Sequence, residues 1–318
     1  MNPDLRDLLN DEAAPGAPQL LPLPELGLLR VGGADAADFL QGQLSCDIAA
    51  IGDDDATWAS MNSPKGRVLA LFRIYRRGQA FELLTHASVA ETALKRLRMF
   101  VLRSRVTIEA VDDLFTAGLV DPGEPPAPSL RLHARQDGVV SLTLPGTDAA
   151  RLVFVGDSAS VEAALRERLP AGARPISAAA WNAIDIATGL PEVEAETQDR
   201  FVAQMLDLDR LGALSWTKGC YTGQEVIARL HYRGGIKRRL FAARVHTDEV
   251  PPGTTIRHAE SGAEVGAVVR SAADGDHRRI LAVLALGRAG ETLVLDGDGG
   301  PTLESVTAPF RTDGDTPD

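Results

Sequence analysis

Apolar positions along the chain change period several times. Asp35 to Leu44 follows the Gly32-Gly33 turn and puts Phe39, Leu40 and Leu44 on one side of a helix. Val68 to Tyr75 and Ala80 to Thr85 are nearly continuous apolar runs separated by Arg76-Arg77-Gly78-Gln79, which predicts a hairpin. A helix near Ser88 to Phe100 and a strand near Arg105 to Val111 follow. Strand, strand, helix and strand in that order predict an α+β sandwich.

Pro122 to Pro128 (PGEPPAP) marks a break or exposed loop, and a smaller unit follows it. Its strands are expected at Val139 to Leu144 and Arg151 to Val155. Its helix is expected at Ser158 to Leu169, with Val161, Ala164, Leu165 and Leu169 inward. A further helix near Ala178 to Thr188 should stop at Gly189, two residues before Pro191. From Leu240 the pattern becomes short apolar strands punctuated by Gly and Pro (Phe241 to Val245, Val265 to Val269, Ile280 to Leu284, Thr292 to Leu295), which predicts a small β-barrel. The expected organisation is a loose leader (1–19), an α+β domain (20–112, completed by 175–237), a smaller α+β unit (113–174), a barrel (238–310) and a polar tail (311–318).

With 318 residues, 44% hydrophobic and 24% charged, the chain has the composition of a multi-domain globular protein. No apolar run is long enough to span a bilayer, and the acidic, Pro-interrupted start lacks the features of a secretory signal, so a cytoplasmic location and no membrane partner are expected. Two cysteines, Cys46 and Cys220, then read as reduced thiols. The net charge of -11 argues against generic attraction to polyanions, but three windows depart from it: Lys65 to Arg77, Lys95 to Arg105 and Arg229 to Arg239. Each holds five Lys or Arg and no acid, leaving 18 basic residues against all 44 acidic ones elsewhere. Brought together, such windows suit a small polyanion or a short RNA backbone; kept apart, they are solvated faces and local ion pairs.

Phosphate-binding loops, dinucleotide fingerprints, CxxC, HExxH and GxSxG are absent from the sequence, and no metal set is expected. The informative stretch is Lys218-Gly219-Cys220-Tyr221-Thr222-Gly223-Gln224-Glu225. Thr222 and Glu225 have capping-box spacing, which predicts a helix from Gly223, with Cys220 just ahead of it. Helix-end N–H groups and Lys218 favour a thiolate or a bound anion there. Gly219 and Gly223 allow close backbone approach. Glu225 and Arg229 are spaced for an i,i+4 ion pair, the bland alternative. Cys46 reads as a small buried residue, and Trp181 and Trp216 as core or interdomain packing. His231 reads as an ordinary surface or core histidine. Arg233, Lys237 and Arg238 have a plain alternative role in solvating the helix–barrel junction.

The octapeptide, with Ala228-Arg229 and Tyr232-Arg233-Gly234, resembles the YgfZ family of folate-binding proteins, which is homologous to the T protein (aminomethyltransferase) of the glycine cleavage system. Gly32 to Ile48, Asn62 to Arg76 and Ile184 to Val193 support the resemblance, which extends from about Leu26 to Leu286. It implies a three-domain α+β cloverleaf with a central cavity and a C-terminal β-barrel. It also implies binding of tetrahydrofolate or a one-carbon derivative, and support of iron–sulfur cluster assembly or repair, including tRNA-modifying iron–sulfur enzymes. Implied partners are folate, those enzymes or cluster-assembly proteins, and tRNA.

By the same resemblance, Cys220 and Lys218 carry the chemistry, with Gly219, Tyr221, Gly223, Gln224 and Glu225 around the cofactor; Arg229 in the adjoining stretch, Lys65 and Arg67 at a glycine turn before a strand, and Asp185 are further cofactor candidates. The role of Cys220 stays open among transient iron ligation, a redox event and attack on a one-carbon adduct. Two departures stand out. The carboxylates that follow the glycine matching Gly66 in aminomethyltransferases fall at Ala70 and Leu71, which cannot exchange protons, so aminomethyl transfer by that mechanism is not expected. The pterin-gripping Glu falls at Ala187, so folate binding would need Asp185 or another carboxylate in its place. A rearranged one-carbon transferase and a non-catalytic tRNA- or protein-binding module are the alternatives.

Overall fold

The structure, a computed structural model, describes residues 3–136, 138–296 and 300–310. The chain divides into two compact units, residues 1–59 with 71–178 and residues 60–70 with 179–318. In chain order the elements up to the end of the first unit are β1 (Gln19–Pro22), β2 (Leu26–Gly32), α1 (Ala36–Gln43), β3 (Ala56–Asn62), β4 (Val68–Arg77), β5 (Ala80–His86) and α2 (Ala87–Met99). They continue with β6 (Thr107–Ala110), β7 (Phe115–Asp121), β8 (Arg131–Gln136), β9 (Val139–Leu144), β10 (Ala150–Gly156), α3 (Ser158–Arg168) and β11 (Arg174–Pro175).

One sheet runs β3-β4-β5-β2-β6, and the tips of β3 and β4 form the short excursion, residues 60–70, that belongs to the second unit. Arg30, Tyr75 and Glu82 stand opposite one another across β2, β4 and β5, so they share a face. Glu82 is fully buried, with Arg30 at 2.7 Å and Arg77 at 3.0 Å. Burial of Tyr75 itself, and second the neighbouring Glu82 charge, push the Tyr75 hydroxyl well above its ordinary range. Much of the positive charge in the first two windows is therefore consumed locally: Arg77 on Glu82, Lys95 on Glu91 at 2.6 Å, and Arg105 on Asp35 at 2.8 Å.

The second sheet runs β11-β1-β7-β10-β9-β8. α3 lies on it through Val161, Ala164, Leu165 and the following Leu169, the inward set expected from the spacing. Residues 5–22 correct the expectation of a loose leader. Leu5 and Leu8 are buried in this same core and Gln19 pairs with β7; Leu20 and Leu21, expected in the 20–112 domain, continue that pairing. The leader's apolar side chains are too widely spaced to show a period, yet they close an edge that 113–174 alone would leave open. The expected tail, 311–318, lies outside the described residues.

The second unit holds α4 (Ala178–Ala187), α5 (Gln224–Tyr232) and the strands β12 (Arg238–Val245), β13 (Thr255–His258), β14 (Glu264–Asp274), β15 (His277–Ala285), β16 (Leu293–Leu295) and β17 (Leu303–Thr307). α4 stops at Gly189, as expected, with the Leu190 N–H closing back on the Asp185 carbonyl. The strands pair as β16-β13-β14-β15-β12-β17, and Val294 bridges Thr302, next to β17. The sheet thus curls into a half-barrel around Val245, Ile256, Val268, Ile280, Ala282 and Leu284. Among the described residues, no helix is long and apolar enough to cross a membrane.

Candidate functional site

The octapeptide is held by two neighbours in its own unit. The first is the turn between β3 and β4, where the Ser63 N–H donates to the Arg67 carbonyl and the Gly66 N–H to the Ser63 carbonyl, at 2.8 and 2.9 Å. Below the turn, Val68 N–H donates to the Phe201 carbonyl, Asp199 N–H to the Val68 carbonyl, and Gln198 Nε2 to the Leu69 carbonyl. Arg67 is exposed and spends one Nη on the Asp199 carbonyl, at 3.1 Å. Lys65, at the tip, is exposed and makes no ion pair among the described residues.

Gly66 and Gly223 meet where this turn touches the start of α5. Both have left-handed backbones, with φ of 71° and 83°. A Cβ on Gly223 would lie 2.5 Å from the Ser63 carbonyl oxygen and 3.1 Å from Gly66 Cα; one on Gly66 would lie 2.9 Å from Val226 Cβ. Glycine is what lets the two backbones pack directly. Asn62 Oδ1 and Ser63 Oγ are buried beside this contact and have no hydrogen-bond partner among the described residues.

The expected capping box is not what starts the helix. Gly223 itself is the N-cap, its left-handed backbone set by the packing against Ser63 and Gly66, and no side chain caps it. Gln224 Oε1 instead accepts from the Tyr221 N–H at 3.3 Å, which ties the loop to the first turn of α5. The Tyr221 ring is buried, with Lys218 Nζ 5.0 Å from its centroid, a cation–π arrangement. Gly219 and Cys220 are exposed, whereas Cys46 is buried as expected. Glu225 and Arg229 are also exposed, and the i,i+4 pair expected between them is not formed.

α5 is supported from below by the turn over Ala203–Leu206. Gln204, fully buried, donates from Nε2 to the Ile227 carbonyl at 2.6 Å. Arg239 at the start of β12 bonds the Gln204 carbonyl, Asp207 and Asp209. Burial pushes the Asp207 carboxyl up to about 6, against the pull of Arg239. A folded value above the usual 3.8 means that folding stability falls as pH rises from about 4 to about 6 and levels off above that. Asp207→Asn is expected to remove that component of the slope, so the variant gains on the parent over this range. Urea midpoints at several pH values measure it, and a parent–variant difference independent of pH contradicts it.

Asp185 sits apart from the octapeptide, at 3% exposure on α4, with its Oδ2 3.0 Å from Arg270 Nη1. Trp181 is core, as expected, but Trp216 is half-buried and stacks on His231 at 3.9 Å with the rings 10° from parallel. Neither Trp216 nor the buried Asn62 and Ser63 stood out as site residues in the sequence. Among the described residues, no group of three or more His, Cys, Asp or Glu is placed to hold a metal ion.

No family model matches the chain. It is 29% identical to the tRNA-modifying protein YgfZ of Cronobacter sakazakii over 308 residues, 92% of each chain. It is 33% identical over 231 residues to the protein of that name from Colwellia psychrerythraea, and 31% identical over 230 residues to that from Escherichia coli O157:H7, covering 70% of each chain in both cases. Among solved structures, the glycine cleavage system aminomethyltransferase T from Bartonella henselae superposes with a TM-score of 0.72 over 97% of this chain and 89% of that one, at 16% identity, so the mixed α/β fold is shared. With the motif at the mouth of α5 and one-third identity over 70% of a curated relative, the chain belongs to the YgfZ family.

Proposed function

We propose that this protein is a tetrahydrofolate-binding accessory factor in tRNA modification, acting through the thiol of Cys220 in support of iron–sulfur enzymes. The observation that carries the reading is an exposed thiol on a loop whose backbone is fixed by a pair of touching glycines. Relatives named as tRNA-modifying proteins and a fold held in common with an aminomethyltransferase support it. The proposal includes the cloverleaf form and central cavity that the resemblance implies, and a cytoplasmic setting.

The residues present suit a flat, hydrogen-bonding, anionic ligand. Asn62 Oδ1 and Ser63 Oγ are buried polar atoms in need of partners, and Lys65 and Arg67 offer positive charge at the rim of the same turn. Bound reduced folate would supply a one-carbon carrier. Gly219 leaves open space beside Cys220, since a Cβ there would meet nothing within 4 Å. Lys218, Tyr221, Gln224 and Gly223 hold the loop in place, and Glu225 and Arg229 present one charge of each sign on the exposed side of α5. Ala70 and Leu71 are fully buried, so proton transfer at the positions used by aminomethyltransferases has no donor or acceptor here.

Cys220→Ala is expected to abolish restoration of tRNA methylthiolation in cells whose own copy is deleted. Its melting temperature should stay within about 2 °C of the parent, because an exposed side chain outside the core changes stability by about 0.5 kcal/mol or less. Full restoration by the variant overturns the role of the thiol. Calorimetric titration with tetrahydrofolate, before and after alkylation of Cys220, tests the cofactor: binding lost on alkylation joins thiol and folate in one site, and no heat from the untreated protein removes folate from the reading.

A further inference from the structure

In the third basic window one of the five cations is in an ion pair among the described residues. Arg239 is consumed by Asp207 and Asp209, but Arg229, Arg233 and Lys237 are exposed and Arg238 half-buried, and none of these four makes an ion pair among the described residues. From Val226 to Thr247 the sequence holds no acid at all. Three rings come together at the last turn of α5: Trp216, from the loop before the octapeptide, stacked on His231, and Tyr232 edge-on to both, at 6.4 Å from Trp216 and 4.6 Å from His231. Tyr232 is 68% exposed.

We propose that the Trp216–His231–Tyr232 ring cluster, with Arg229, Arg233 and Lys237, is a platform for an unpaired segment of RNA, one base stacking on the exposed aromatic surface while the cations hold the flanking phosphates. Rings of this kind give a base a face on which to stack, and uncommitted guanidiniums supply the sequence-independent attraction to phosphate. Among the described residues of this unit, Tyr232 is the large apolar side chain left exposed; Met99, Phe100 and Leu102 belong to the first unit. The inference rests on the proposed role in tRNA modification and names the part of the chain that would hold RNA, on the same short helix whose start carries the Cys220 loop.

The test is binding of a single-stranded oligouridylate of about 12 nucleotides, within the range of known single-strand sites, to the full chain. Trp58 and Trp181 are buried at 1% and 3% exposure, so quenching of tryptophan fluorescence by the RNA reports on Trp216. Tyr232→Ala is expected to weaken binding by about 5- to 150-fold, the equivalent of about 1–3 kcal/mol for one stacked base, and Tyr232→Phe to restore it. Arg233→Gln should lower the slope of log affinity against log salt by about 0.7.

Equal affinity of Tyr232→Ala and the parent, or RNA binding without quenching, overturns the platform. So does a concentration-dependent dimer that Tyr232→Ala abolishes while RNA affinity stays unchanged, which would assign the patch to a second copy. Tetrahydrofolate heats and the Cys220→Ala assay are read on the same preparations. A platform that fails while those two hold leaves the folate–thiol reading standing, and RNA binding that persists without folate heats does the reverse.

Discussion

Gly223→Ala is expected to destabilise the protein by about 2–5 kcal/mol and to remove its activity, although the change adds a single methyl group. A φ of 83° costs a non-glycine residue about 1–2 kcal/mol. The new Cβ would also lie 2.5 Å from the Ser63 carbonyl oxygen, which is backbone and cannot rotate aside. Forcing the β3–β4 turn away from α5 adds the overpacking cost of about 1–3 kcal/mol. The control lies in the same motif: Gly219 has no left-handed φ, and a Cβ there meets nothing within 4 Å. Gly219→Ala should therefore change the unfolding free energy by no more than about 0.5 kcal/mol. Chemical denaturation of both variants decides the matter, and equal effects would mean that the paired glycines do not hold the loop.

That contrast also marks how far the sequence could be read. The octapeptide was visible as a run too polar and glycine-rich for a core, and the helix behind it was found within one residue. What could not be seen was the reason for its second glycine. Local spacing pointed to a Thr222–Glu225 box, but the actual constraint comes from Ser63 and Gly66, about 160 positions away in the chain. The same distance effect hid the ring cluster: Trp216 and His231 are 15 residues apart, with a loop and two turns of helix between them, and nothing periodic links them.

Elements with a strong one-sided pattern, such as α3, were placed almost residue for residue. β8 and β17 were missed because most of their side chains are exposed, so burial left little period-2 signal in their sequences. The leader was misjudged for a related reason. Leu5 and Leu8 complete a core built by strands more than a hundred residues later, and a loop-like local composition does not reveal such a role. Charge told a similarly mixed story. Of three equally basic windows, the first two each place two of five cations on carboxylates among the described residues, Asp53 and Glu82 in one and Glu91 and Asp35 in the other, and the third places one, Arg239.

Arg270→Leu is the second large effect, and it bears on function because it tests what Asp185 is for. Arg270 reaches from β14 to three acceptors: Asp185 Oδ2 at 3.0 Å, Asn182 Oδ1 at 2.9 Å and the Leu190 carbonyl at 3.2 Å. It is 8% exposed and Asp185 3%, so both charges are out of water and each makes the other tolerable. Burial alone would lower the Arg270 pKa, yet Asp185, with Glu192 and Glu194 nearby, holds it above the ordinary range. Removing the guanidinium strands a carboxylate in a low-dielectric place and is expected to cost about 3–5 kcal/mol, far more than the pair's net contribution. The double variant Arg270→Leu/Asp185→Asn should recover part of that loss, because the carboxylate bonded directly to Arg270 is then replaced by a neutral amide. If Asp185 is chiefly this counter-ion, Asp185→Asn in the parent lowers the melting temperature while leaving tetrahydrofolate affinity within about twofold. If it grips a pterin, the order reverses, with affinity falling by tenfold or more at little cost in stability. Guanidinium unfolding curves and folate calorimetry on the four proteins separate the two roles, since only a structural carboxylate gives strong Arg270–Asp185 coupling in stability and none in binding.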